Sequence, residues 1–304
     1  MDPSTVFTYE RHIDARTLRG STLVVTLGAF TDAGAAQHLL DTHILELLDS
    51  RIIGRVDMDQ VYDYTGHRPE ITLDRDHFED YEKPEILLHE VVAADGEPFF
   101  LLTGPEPSFQ WERLASALRH VIEQLGVERT LLVQSFPAPV PHTRELPITR
   151  YGGASEDIMF PRPMPAVFRL RSTFTSVLTL RLHESGHPVV GLAAQVPQYL
   201  HETEYPVAAL ALLRAVREEG GPEIAPGELE VIARAVREGI DAQVAGNDQL
   251  QEMVRSLEEN ADRFQLADAA EAEVPSAEEI AAEVEQFLAG LDEGDQGPSE
   301  ESHG

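Results

Sequence analysis

The chain has 304 residues, with 54 acidic against 23 basic side chains and a formal charge of −31. At 42% apolar and 25% charged it has the composition of a globular protein with a substantial core, which excludes collagen-like, fully disordered and membrane-spanning classes. A pI near 4.6 disfavours phosphate backbones and anionic membranes, so neither nucleic acid nor membrane is an expected partner, and the absence of cysteine removes disulfides and Cys-based zinc sites and suits the cytoplasm.

The first twenty residues show no basic start followed by an apolar run, so no secretory leader is expected. Ser21 to Leu27 reads as a buried strand, and Gly28-Ala29-Phe30-Thr31-Asp32-Ala33-Gly34 turns the chain into a helix carrying Leu40, Ile44 and Leu47, with Asp32 as its cap. Arg51 to Val56 is a second strand, followed by a polar loop through Tyr62, Tyr64 and His67. Ile86 to Val92 and Pro98 to Thr103 flank Asp95-Gly96, a hairpin turn, so the sheet is mixed rather than purely parallel. Ser108 is the expected cap of a helix in which Trp111, Leu114, Leu118, Val121 and Leu125 recur at helical spacing and which Gly126 ends. Thr130 to Phe136 is the next strand. From Pro137 to Pro165 seven prolines and Gly152-Gly153 predict a long irregular loop. Phe174 to Leu182 then reads as a helix, Pro188 to Val196 as a strand and Val207 to Arg217 as a helix.

Short β-branched runs alternating with amphipathic helices predict an α/β class, a three-layer α/β/α core over residues 1–222. Two apolar stripes, Leu229 to Val244 and Leu250 to Phe264, parted by Gly246-Asn247, predict a helical hairpin over 223–267. Residues 268–304 hold 12 acids and no Lys or Arg. They read as a largely disordered acidic tail with one short amphipathic helix through Ile280, Val284, Phe287, Leu288 and Leu291.

His183-Glu184-Ser185-Gly186-His187 satisfies the HExxH zinc signature, but that motif needs both histidines on one continuous helix. Gly186 and Pro188 break the helix there, so HESGH is read as a helix-to-strand turn and no metal site is assigned. Asp57 to Asp63 fails as a calcium loop because Tyr62 stands where glycine is needed, and the acids from Asp74 to Glu82 read as a solvated face. Ser135 and His142 pair on paper as nucleophile and base, yet no GxSxG motif and no orienting carboxylate support them, so no catalytic residue is assigned. The candidate ligand- or partner-binding residues are Asp32 and Gly34 at the strand-to-helix turn, with His142 and the planar carboxylate-binding fork of Arg144.

Four segments together, GAFTDAG at 28–34, GPEPSFQW at 104–111, LLVQSFPAPVPHTR at 131–144 and GLAAQVPQYL at 191–200, resemble the proteasome assembly chaperone family in its bacterial branch with an added helical C-terminal domain. The resemblance implies a core of the nucleoside phosphorylase/hydrolase-like fold without the catalytic residues and without a cofactor. It also implies self-association, as a trimer or another ring-like homo-oligomer, and protein partners, which in eukaryotic and archaeal relatives are proteasome α-subunits. Some members dock through a C-terminal hydrophobic-Tyr-any motif, whereas this chain ends Glu301-Ser302-His303-Gly304, so the helical hairpin or the 280–291 helix is the expected contact instead. The rival reading is a binder of nucleoside- or phosphate-type small molecules, or a hydrolase- or phosphorylase-like enzyme, using the pocket at the C-terminal ends of the strands.

Overall fold

The computed structural model describes residues 5–28, 31–160, 167 and 169–272; the expected tail helix at 280–291 lies outside them. In chain order the elements are β1 (Phe7–Tyr9), β2 (Thr22–Leu27), α1 (Ala36–Leu47), β3 (Ser50–Val56), α2 (Met58–Val61), β4 (Thr72–Asp74), β5 (His77–Glu79), β6 (Leu87–Val92), β7 (Pro98–Gly104), α3 (Trp111–Leu125), β8 (Arg129–Ala138), β9 (Ile148–Gly152), α4 (Phe174–Glu184), β10 (Val189–Pro197), α5 (Pro206–Glu218), α6 (Gly227–Ala245) and α7 (Asp248–Ala272).

Eight strands form one sheet in the order β1-β3-β6-β7-β2-β8-β10-β9. The central β7, β2, β8 and β10 are parallel, and the flanking pairs are antiparallel. All six residues of β2 are buried, as a strand covered on both faces requires. Alternate residues go to opposite cores: Leu23 and Val25 pack with Leu118, Ile122 and Leu178 of α3 and α4, whereas Val24 packs with Leu40 and Ile44 of α1 and Leu212 of α5. This is the expected three-layer α/β/α arrangement with a mixed sheet. The C-terminal helices add to it, because Leu229 and Ala233 of α6 join the core beneath α1 and α5. No described helix is long and apolar enough to cross a membrane.

Two local expectations are corrected. Ser108 does not cap α3: its own amide and that of Phe109 donate to the Val61 carbonyl, and its hydroxyl accepts from the Asp63 amide at 3.2 Å. The chain is therefore still tied to α2 at that point, and the helix starts only at Trp111, after Gln110 in a left-handed conformation (φ 57°). The proline-rich stretch is likewise not wholly irregular, since β9 lies within it as the outermost strand beside β10. Pro147 and Gly152 bound the strand and the edge position tolerates them, while Tyr151 fills the space over Gly191 opposite. Arg150 anchors β9 from the other side, paired with Glu218 and, at 3.0 Å, with the fully buried Glu219 at the end of α5.

β4 and β5 form a separate two-stranded hairpin in the stretch whose acids, from Asp74 to Glu82, the sequence marked only as a solvated face.

Candidate functional site

The parallel strands end where β2, β8 and β10 lead into Asp32, the 139–147 loop and the turn before α5. Asp32 makes a backbone bridge to Ser135 and accepts the Ser135 hydroxyl at 3.1 Å. Its two carboxylate oxygens also accept the amides of Gln37 and His38 at 2.9 and 3.1 Å. These are donors of the first turn of α1, which has no other side-chain cap because its N-cap position is the left-handed Ala35. The positive end of the helix, the place where a phosphate would bind, thus holds the chain's own carboxylate. Gly34 sits beside it at φ 69°; its amide donates to His201 O at 2.9 Å and its carbonyl accepts the Tyr205 amide at 2.8 Å. A Cβ there would lie 2.9 Å from Tyr205 Cβ, so the group that needs this glycine is Tyr205.

His142 is fully buried, and its surroundings account for every polar atom of the ring. Nδ1 lies 2.6 Å from the Tyr199 hydroxyl and Nε2 lies 3.0 Å from Asp241 on α6, while the His142 amide donates to the same Tyr199 oxygen at 2.9 Å. Burial pushes the Tyr199 phenol above its ordinary range. With both nitrogens engaged, the imidazole presents no free atom to a substrate. Arg144 makes a forked contact with Asp262 of α7, Nε to Oδ1 at 2.9 Å and Nη2 to Oδ2 at 3.0 Å, and adds a third bond to Glu258 at 3.1 Å. Thr143 donates to Glu258 at 2.5 Å, and Arg237 of α6 donates to the Thr143 carbonyl at 3.2 Å. The guanidinium holds the Asp262 carboxyl below the usual carboxylate range. The expected carboxylate for the Arg144 fork is therefore supplied by the chain itself, and residues 142–144 form a polar clasp for the C-terminal helices.

Of the four candidate residues, Asp32 and Gly34 are neighbours at the strand-to-helix turn, where Gly34 packs on Tyr205, whereas His142 and Arg144 belong to the clasp. Sequence reasoning missed Tyr199, Arg237, Asp241, Glu258 and Asp262. One signal existed: Glu258 and Asp262 are four apart, hence one above the other, at the border of the apolar stripe of α7.

Residues 26–244 match the PAC2 family. The chain belongs to this family. Among solved structures, a protein of unknown function from Mycobacterium tuberculosis is 33% identical, with 88% of this chain and 92% of that chain covered and a TM-score of 0.82. A PAC2 family protein from Streptomyces avermitilis is 26% identical, over 77% and 99% of the two chains, at a TM-score of 0.66. The fold is shared with a Mycobacterium tuberculosis proteasome-assembly chaperone homologue, 24% identical over 77% and 99%, TM-score 0.70. A search of curated proteins finds no match.

The remaining motifs of this PAC2 chain fall elsewhere. HESGH forms the exit of α4: the helix ends at Glu184, Gly186 is left-handed (φ 75°), and the His187 amide returns to Leu182 O at 3.0 Å. His187 Nε2 meets the Thr130 hydroxyl at 2.9 Å, and burial lowers its pKa, whereas His183 lies against Gly153. The two imidazoles have different neighbours. In the hairpin, Asp74, His77 and Glu79 bring ligand atoms within 4.8 Å of one another on a solvated surface.

Proposed function

We propose that this PAC2 protein is a non-enzymatic factor of proteasome-assembly-chaperone type that works in the cytoplasm through protein–protein contacts, as a homo-oligomer of cyclic, trimeric form. Membership of the family and the shared fold of a bacterial protein named as a proteasome-assembly chaperone homologue support the reading. The observation that carries it is the inward engagement of the polar groups at the strand ends, where Asp32, His142 and Arg144 hold an α-helix or another side chain of the same chain. In this reading those residues, with Gly34, shape and secure a binding surface, and the C-terminal helices they retain supply part of it.

Affinity purification of the full-length tagged protein from its own cells, followed by mass spectrometry, tests the proposal. Enrichment of proteasome subunits over an untagged control is the expected result. Purification without any proteasome subunit, from cells that contain a proteasome, overturns it.

A further inference from the structure

The β4–β5 hairpin stands without a core. None of residues 70–83 is buried, and the two strands form a sheet of their own, apart from the eight-stranded one. An isolated two-stranded hairpin is marginal in water, so its order requires something beyond its own ladder of hydrogen bonds. Burial does not supply it: Leu73 and Phe78, paired across the strands, are both exposed. The polar face of the hairpin offers another kind of tie.

Register sets Asp74 directly opposite His77, and alternation along β5 returns Glu79 to the face that carries His77. Asp74, His77 and Glu79 each bring one ligand atom within 4.8 Å of the other two. The chain holds 54 acids and 12 histidines, yet among the described residues no other three such side chains converge as closely. His77 is also oriented. Its Nδ1 meets Asp76 Oδ1 at 3.2 Å, a contact that favours the tautomer with its proton on Nδ1 and leaves the lone pair on Nε2, which faces Glu79 Oε2 at 3.8 Å. A carboxylate behind an imidazole whose other nitrogen points at further ligand atoms is the support that metal-binding histidines have. Zinc bonds of about 2.1 Å in a tetrahedron set neighbouring ligand atoms about 3.4 Å apart, so small rotamer changes in these side chains close the trio on an ion. Arg75 Nε lies 3.7 Å from Asp74 Oδ1, but its side chain is 89% exposed and is free to swing aside.

We propose that Asp74, His77 and Glu79 bind one divalent transition-metal ion of the zinc class, which staples β4 to β5, with Asp76 as a positioning residue for His77. One imidazole with two carboxylates favours such an ion over calcium or magnesium, which take oxygen ligands, and three protein ligands leave the fourth position to water. Because the ligands come from both strands, the ion is a cross-link, and its binding free energy adds to the stability of the hairpin. The site goes beyond the function proposed above and does not depend on it.

Calorimetric titration of Zn²⁺ into the full-length, tag-free protein tests it, together with hydrogen exchange over residues 70–83 with and without the ion. Saturable binding of one Zn²⁺ per chain, undisturbed by excess Mg²⁺, and slower exchange over 70–83 are expected. His77→Ala, and separately Asp74→Asn with Glu79→Gln, are each expected to weaken binding at least about tenfold and to abolish the slowing. Asp76→Ala is expected to weaken it by less, because all three ligands remain. None of these side chains is buried, so circular dichroism is expected to be unchanged in every variant. A wild-type chain that takes up no Zn²⁺, or a His77→Ala chain that binds it as wild type does, overturns the site. Loss of binding in His183→Ala assigns the ion to the exit of α4 and overturns it too. Binding that depends on His77 but leaves exchange over 70–83 unchanged overturns the staple.

Discussion

Asp32 closes the first turn of α1 from four residues before the helix begins, accepting two of its amides and the Ser135 hydroxyl. Replacing it with alanine leaves those amides without their side-chain acceptor; Asp32→Ala is expected to lower stability by about 1–2 kcal/mol in urea unfolding, and Asp32→Asn by clearly less, because the amide oxygen still accepts. Equal losses for the two variants would show that charge, not capping, is what matters. That Asp32 caps the helix was legible in the sequence, since a strand, a glycine-bounded turn and a helix left it few other roles. That His142 is enclosed was not: its partners Tyr199 and Asp241 stand 57 and 99 positions away, and no local spacing encodes such a meeting.

Elements were legible wherever the apolar period was long. β2, α3, β8, β10 and the α6–α7 pair are all where their patterns placed them, because burial on one or both faces leaves a repeating signature. β9 was hidden by its flanking breakers, and the β4–β5 hairpin by its charges, since both lie at edges where composition follows solvent rather than core. The clasp between residues 142–144 and the C-terminal helices is a separate unit of stability. In native-state hydrogen exchange, Arg144→Glu is expected to speed exchange across α7 and the second half of α6, with β2 and β8 unchanged, because it sets a third carboxylate against Glu258 and Asp262. Unaltered α7 protection would show that its apolar contacts hold it without the clasp.

Two histidines of the fold, the buried His89 on β6 and the half-buried His187 before β10, have pKa values lowered by burial. Their unfolded values lie near 6.5, so below that pH the unfolded chain binds protons that the folded one refuses. The stability they permit is fully present above about pH 6.5 and declines as the pH falls toward their lowered folded values. Asp41 acts in the opposite sense: burial raises its carboxyl well above the ordinary range, so the folded state gains a proton there first. Thermal melting between pH 7.5 and 5.5 is expected to show a falling midpoint, and His89→Gln with His187→Gln a flatter profile. A profile with unchanged slope would assign the pH dependence to other groups.

The clasp also sets a rule of length. Glu258 and Asp262 reach Arg144 only because they stand one turn apart on the same side of α7, at a fixed distance from the helix start at Asp248. Each residue of an α-helix turns its side chains by about 100°, so inserting or deleting a single residue between Asp248 and Glu258 would swing both carboxylates away from the guanidinium. Spacing upstream of Glu258 is therefore locked to the core in whole turns of helix, whereas the chain after Asp262 can lengthen or shorten without disturbing the grip.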